Sequence, residues 1–286
     1  MQGGKPMARL VIFTDLDGTL LDHFSYSCAA ARPVWEAAQA AGVPCVFNTS
    51  KTRAEVLQLQ AAMGLEQPFI VENGAAVWFP DNTMLPLPPD ARAHDGMRCK
   101  VMSIARADIL ERLYGLRSRY VFRGLSEMGL EEIVERTGLG RKEARLASQR
   151  EFSEPLVWLD TEDALKKCAL DLDALNLRLV RGGRFVHVIG ACDKGQAMSW
   201  LLAVYQNAFG GAVTSLALGD SDNDVDMLAA ADIPILVRSP VHAPPVIPNR
   251  PDVCITSSYG PEGWANAVSS VLSKYGVDIA SQGKPE

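Results

Sequence analysis

The chain has no dense run of lysine or arginine, and its 28 basic residues are outnumbered by 34 acidic ones, for a formal net charge of -6. Nucleic acid would meet no electrostatic footprint here, so nucleic-acid-binding classes drop out. No apolar stretch is long enough to span a bilayer, and Met1-Gln2-Gly3-Gly4-Lys5-Pro6-Met7 holds no apolar core of signal-peptide length. A soluble, cytoplasmic protein without a membrane partner is expected. No Cys-x-x-Cys pair occurs among Cys28, Cys45, Cys99, Cys168, Cys192 and Cys254, most of which lie in apolar or helical stretches. Buried reduced thiols are expected, in place of zinc sites or disulfides. Internal repeats and long low-complexity tracts are also absent. What remains is 286 residues, 48% of them hydrophobic, enough for a sizeable core divided between two modest domains.

Strand and helix signals alternate at the start: Leu10-Val11-Ile12-Phe13, a helix over 29–41, the run Val43-Pro44-Cys45-Val46-Phe47, then a second helix. Such alternation predicts a parallel sheet. Thr52 with Glu55 forms a capping box for that second helix, and Gly64 marks its end. Phe69-Ile70-Val71 and Ala75-Ala76-Val77-Trp78-Phe79 flank Glu72-Asn73-Gly74 and read as a hairpin. The proline-rich stretch 80–90 reads as a crossing between modules. Residues 97–188 mix helices (104–116, 162–175) with short strands (156–159, 178–180, 185–188), which predicts a separate α+β unit. The βα pattern resumes with a helix from Lys194, a strand at 215–218, a helix through Met227-Leu228 and a strand at 233–237. After the proline-rich loop 240–251, Gly260-Pro261-Glu262-Gly263-Trp264 opens a final helix. The boundaries expected are 8–85 for the first part of a core domain, 86–189 for the insertion, and 190–278 for the rest of the core.

Chemistry concentrates at the carboxyl ends of the predicted core strands, where open α/β sheets bind ligands. Asp15-Leu16-Asp17-Gly18-Thr19 follows the first strand, so a chain turning at Gly18 lets the two aspartates take different tasks. Gly219-Asp220-Ser221-Asp222-Asn223-Asp224 follows another strand. Clustered carboxylates need a compensating cation, and a hard ion with oxygen ligands, Mg²⁺, meets that need. An EF-hand loop is the competing reading, but Val225 stands where its sixth-position glycine belongs. Lys194 lies at a helix start, an unfavourable place for a cation unless it meets an anion. Asn48-Thr49-Ser50-Lys51-Thr52 offers hydroxyls and N–H groups at a helix N-terminus, suited to an anion or to ordinary capping.

In order and context, Asp15 and Asp17, Thr49, Lys194, and Asp220 with Asp224 resemble the motifs of the haloacid dehalogenase superfamily. The long insertion between the second and third motifs resembles the Cof-type branch. Further segments narrow the resemblance to mannosyl-3-phosphoglycerate phosphatases: Asn48 to Thr52, Glu72-Asn73-Gly74-Ala75, Gln149-Arg150-Glu151-Phe152-Ser153-Glu154-Pro155, Gly182-Gly183-Arg184-Phe185-Val186-His187-Val188 and the Gly260 to Trp264 motif. Ser50-Lys51 stands where the wider branch has Gly-Arg, but it resembles the narrower family.

The resemblance implies a Rossmann-like parallel-sheet core with helices on both faces and an inserted α+β cap domain. It implies hydrolysis of a small phosphorylated sugar-glycerate, with Asp15 as nucleophile, Asp17 as general acid and base, and Thr49 and Lys194 on the phosphoryl oxygens. Mg²⁺ would be held through Asp15, Asp17 and Asp220, with Asp224 bearing on the metal site. Ser50, Lys51, Arg150, Glu151, Ser153, Glu154, Arg184 and Asn223 are the candidate substrate contacts, while Asp222 is given no catalytic task. A phosphatase for glucosyl-3-phosphoglycerate or a hexose phosphate, and a phosphosugar-binding module without turnover, are the alternatives. The sequence does not report an oligomeric state.

Overall fold

The computed structural model describes residues 9–182 and 185–277. In chain order, β1 (Arg9–Thr14), α1 (Arg32–Ala40), β2 (Cys45–Asn48) and α2 (Arg53–Met63) precede four strands, β3 (Phe69–Val71), β4 (Ala76–Phe79), β5 (Arg92–His94) and β6 (Met97–Val101). Next come α3 (Arg106–Tyr114), β7 (Phe122–Gly124), α4 (Leu130–Thr137), α5 (Arg141–Ala147), β8 (Ser153–Trp158), α6 (Glu162–Asp173), β9 (Leu177–Arg181) and β10 (Val186–Gly190). The chain finishes with α7 (Lys194–Phe209), β11 (Val213–Gly219), α8 (Val225–Ala230), β12 (Ile233–Arg238), β13 (Cys254–Tyr259) and α9 (Gly260–Lys274). Two compact units result, one gathering the chain up to Thr49, Asn82–Pro89 and Met198 onward, the other Ser50–Asp81 and Asp90–Ala197. Residues 50–81 thus group with 90–197, which the sequence-based division at 85 does not anticipate. The reason is pairing: β4 runs antiparallel to β6, with Ala76 opposite Val101, and so binds the first hairpin to the second, β5–β6.

In the first unit, β1 lies between β11 and β2, parallel to both. β11 continues to β12 and β12 to β13, again in parallel. Val11, Ile12 and Phe13 are fully buried, which explains their unbroken apolar run, since a central parallel strand has no water-facing side. Two buried tryptophans fasten the helices. Trp35 of α1 packs 5.3 Å from Phe47 and 6.1 Å from Trp264 of α9. Pro33 falls within the first turn of α1, where a missing N–H costs nothing.

The second unit pairs all its strands antiparallel. β3, β4, β6 and β5 form one run of neighbours, and β7, β8, β10 and β9 form a separate four-stranded sheet. Ile109 and Leu113 of α3 with Leu165, Cys168 and Leu172 of α6 pack on Leu156, Val186 and Val188, giving this unit its own core. α2 keeps both expected ends: the Thr52 and Glu55 side chains cap reciprocally, and Gly64 closes the helix in the left-handed conformation. The α/β core with an α+β insertion therefore stands. All six cysteines are free; Cys45, Cys99, Cys168 and Cys192 are buried, whereas Cys28 is half-buried and Cys254 exposed. Burial pushes the Cys99 and Cys192 thiols up to about 12, which leaves them unreactive. Among the described residues, no helix is long and apolar enough to cross a membrane.

Candidate active site

At the carboxyl ends of β1 and β11, the chain turns sharply twice. After β1, Gly18 adopts φ 80° and its N–H donates to the Leu21 carbonyl at 2.9 Å, curling residues 16–21 into a tight loop. An added Cβ at Gly18 would stand 2.6 Å from Asp220 Oδ2, so glycine is required there for conformation and for space. After β11, Asp222–Asp224 forms a single 3₁₀ turn. The Asp224 carboxylate accepts from the Asp220 and Ser221 N–H groups at 3.0 and 3.1 Å, which folds the loop back on itself.

These turns bring Asp15, Asp220 and Asp224 together, each with a carboxylate oxygen within 4.8 Å of the others. All three are buried, at 4%, 4% and 0% exposure. Like charges this close and this dry repel strongly unless a cation lies among them. An all-oxygen donor set suits a hard divalent cation, so the residues present fit the metal that the sequence implies. Asp17 is half-buried on the loop beyond Asp15, and Thr49 is buried just past the end of β2. Asp222 is exposed, while Asn223 accepts from Ser221 Oγ at 2.6 Å.

Three neighbours join this site without a task read from the sequence: Thr19 and Trp264, which lie within quoted motifs, and His242, which lies in none. Thr19 Oγ1 donates to Asp220 Oδ1 at 3.2 Å, and His242 Nε2 lies 3.2 Å from Asp220 Oδ2. Trp264 Nε1 donates to Thr14 Oγ1 at 2.9 Å, fixing the residue before Asp15 from near the start of α9. The Gly260 to Trp264 motif thereby gains a physical reason, including Gly263, where a Cβ would come within 2.3 Å of the Ser258 carbonyl.

In the second unit, Lys194 opens α7 and is buried at 1% exposure. Asp193 caps that helix, accepting from Gln196 N at 2.7 Å and from Arg178 Nη1 at 2.8 Å. Arg150 has a buried side chain whose Nη1 donates to the Ser50 carbonyl at 3.1 Å and to Ser153 Oγ at 3.0 Å. Lys51 lies 3.9 Å from Glu55. Glu151 is held by Arg53 and His94 at 2.9 and 3.0 Å. Glu154, fully buried, takes Arg106 Nε at 2.6 Å and both Ser126 donors at 2.8 Å. Arg150, Ser153, Glu151 and Glu154 thus sit in internal polar networks, and Arg184 lies outside the described residues.

His187 on β10 is buried, and desolvation together with the nearby Arg150 cation pushes its pKa down to about 3. Its ring is therefore neutral in the fold, while an unfolded histidine takes a proton near pH 6.5. Stability from this group is present above that value and is lost as pH falls toward the folded value. Between pH 7.5 and 5 the expected loss is of order 2 kcal/mol. Urea unfolding at both pH values, with His187→Asn as the variant lacking this component, measures it.

Residues 12–92 match a family model described as haloacid dehalogenase-like hydrolase. A glucosyl-3-phosphoglycerate/mannosyl-3-phosphoglycerate phosphatase of Persephonella marina is 35% identical over 268 residues, spanning 93% of this chain and 98% of the relative. A protein of the same name from Methanococcoides burtonii is 36% identical over 271 residues, 92% of this chain and 97% of that one. Among solved structures, the HAD subclass IIB sugar phosphatase BT4131 superposes with TM-score 0.64 at 16% identity, covering 94% of this chain and 100% of that chain. The chain belongs to the haloacid dehalogenase-like hydrolases, among the phosphoric monoester hydrolases of the glucosyl-3-phosphoglycerate/mannosyl-3-phosphoglycerate phosphatase family.

Proposed function

We propose that the protein is a Mg²⁺-dependent phosphatase that hydrolyses mannosyl-3-phosphoglycerate to mannosylglycerate and phosphate through an aspartyl-phosphate on Asp15. The observation that carries this reading is the buried trio Asp15, Asp220 and Asp224 at the strand ends, which pairs a nucleophile with a cation site. Both close relatives are named for the glucosyl as well as the mannosyl compound, which supports the glucosyl ester as a second substrate of the same site.

Asp15 attacks phosphorus in line, and Asp17, protonated at that moment, gives its proton to the departing glycerate oxygen. Asp17 then takes a proton from the water that cleaves the acyl phosphate, returning Asp15 to its carboxylate. Bound Mg²⁺, held by Asp15, Asp220 and the Asp17 backbone with Asp224 behind them, would supply positive charge for the phosphoryl group. Thr49, Ser50, Lys51 and Lys194 bind the remaining phosphoryl oxygens, where fixed positive charge favours the transition state. Asn223 and Arg184 are further substrate contacts. Residues 86–189 act as the specificity-setting cap, with Arg150 facing the glycerate carboxylate and Glu151, Ser153 and Glu154 shaping the sugar side. The internal partners of Glu154 favour a supporting role for it over direct contact. The reaction is assigned to the cytoplasm.

The test is phosphate release from mannosyl-3-phosphoglycerate, glucosyl-3-phosphoglycerate, 3-phosphoglycerate and simple hexose phosphates, with Mg²⁺ and with chelator. Metal-dependent preference for the two glycosyl compounds is expected. Equal rates on all four classes would remove the cap from specificity, and release from none would leave a binding module.

A further inference from the structure

A hairpin turn asks for residues that tolerate positive φ, which Asn73 and Gly74 do and a glutamate does not. Glu72 nevertheless holds φ 50°, followed by Asn73 at 61° and Gly74 at 91°. It is also fully buried, although a charged turn residue belongs in water. Two unfavourable placements in one residue persist only where the surroundings fix it, and such positions gather at functional sites. What fixes it here is a set of hydrogen bonds at residues 51 and 151–153. The Glu72 N–H donates to the Lys51 carbonyl at 3.0 Å. Its Oε1 accepts from Glu151 N at 2.9 Å, and its Oε2 accepts from Phe152 N at 3.2 Å and from the Ser153 hydroxyl.

This carboxylate therefore acts as a clamp on the backbone directly after Arg150. The Arg150 guanidinium lies 4.0 Å from Glu72 Oε2 and shares Ser153 Oγ with it. Through Nη1, Arg150 also holds the Ser50 carbonyl, so residues 50–51 and 150–153 are joined twice, once by the Arg150 guanidinium and once by Glu72, whose N–H holds Lys51 and whose carboxylate holds 151–153. Two positions further on, Gly74 has no room for a side chain: a Cβ would come within 2.1 Å of the Asp193 carbonyl, the residue before Lys194. One turn thus fixes the segments that carry Ser50, Lys51, Arg150, Ser153 and Lys194. A turn that only reversed the chain would need neither the buried charge nor the close approach.

We infer that Glu72 is a positioning residue for substrate recognition, its carboxylate setting the register of residues 150–153 so that Arg150 and Ser153 are presented as one polar unit. The inference rests on the reading of that segment as part of the cap's substrate site. It is separable from a purely structural role because the carboxylate bonds residues 151–153, on the glycerate and sugar side, whereas the tie to the phosphoryl-binding segment is made by the Glu72 N–H on the Lys51 carbonyl, which a side-chain substitution retains.

Glu72→Gln keeps the size and one acceptor oxygen but removes the charge and the second acceptor. In the full-length Mg²⁺ enzyme, KM for mannosyl-3-phosphoglycerate is expected to rise about 10-fold or more, with kcat within about 3-fold. Turnover of p-nitrophenyl phosphate, which has neither glycerate nor sugar, is expected to stay within about 3-fold of wild type. Native-state hydrogen exchange at the Glu151 and Phe152 amides should quicken by about 10-fold or more. Equal loss on both substrates, or unchanged exchange at those two amides, overturns the inference. Ser153→Ala removes one donor to Glu72 and one acceptor from Arg150. If Glu72→Gln does not fold, the readout that carries the test is exchange at the Glu151 and Phe152 amides in Ser153→Ala, which should quicken by a smaller factor, and unchanged exchange there overturns the inference. Wild-type enzyme that releases no phosphate from either glycosyl compound overturns the functional reading. Wild-type enzyme that does so, alongside a Glu72→Gln variant indistinguishable from it, overturns only the role of Glu72.

Discussion

Asp15→Asn is expected to lower phosphate release by at least about 10,000-fold, because the amide cannot form the acyl phosphate. The fold should survive. Asp15 follows a strand whose Val11, Ile12 and Phe13 are wholly buried, and its own N–H donates to the Leu218 carbonyl at 2.9 Å, a bond that the substitution leaves in place. Removing one of three crowded carboxylates also relieves repulsion, so the metal-free variant should melt no lower than metal-free wild type. Steady-state release of phosphate together with a melting curve in chelator checks both halves. Wild-type turnover in the variant would mean that another group attacks phosphorus.

Asp220→Asn tests the cation site without touching the nucleophile. Mg²⁺ that binds only the folded protein raises its stability by about 2.7 kcal/mol at one hundred times its Kd. For wild type this should appear as a rise of several degrees in Tm on adding Mg²⁺. The variant is expected to lose that rise and to lose about 1,000-fold or more in kcat, since Asp220 is both a buried member of the carboxylate trio and the partner of Thr19 and His242. A full Mg²⁺ shift in Asp220→Asn would place the cation elsewhere. Loss of the shift with normal turnover would separate metal binding from catalysis.

The parts of this molecule that sequence reveals are those set by local rules. Thr52, Glu55 and Gly64 mark the ends of α2 because caps act over three or four residues. β1 and β11 stand out as apolar runs because a buried parallel strand has no polar face. The turns after them announce themselves through Asp-x-Asp-Gly-Thr and Gly-Asp-Ser-Asp-Asn-Asp, so the carboxylate trio is within reach of the sequence alone. β5 and β6 are less legible, since Arg92, Ala93 and His94 are all exposed and show no buried face. The available cue is Asp95-Gly96, both at positive φ, a two-residue hairpin turn between His94 and Met97. β13 hides for a similar reason, with Thr256 its one buried residue.

Long-range polar partners leave no local trace. Glu154 reads from sequence as a candidate substrate contact, with no hint that it is buried against Arg106, forty-eight positions away, a pairing that comes from how β8 and α3 pack. Nor does the proline-rich stretch around His242 announce a contact with Asp220, because nothing periodic or motif-like surrounds it. Glu72 is visible in the sequence as the first residue of a turn and as part of a family-like segment, with no task attached to it. Its role emerges from where its side chain points, and a glutamate in the left-handed region is a choice that no propensity rule predicts.

The most direct test of the account is a single turnover of mannosyl-3-phosphoglycerate by the Mg²⁺ enzyme, quenched in acid and digested at low pH, with the mass of the peptide carrying Asp15 tracked in time. A phosphoryl group that appears on Asp15 before free phosphate and then decays, and that accumulates in Asp17→Asn, is the result expected. Free phosphate released with no phosphoryl group ever on Asp15, or with that group on another residue, would contradict it.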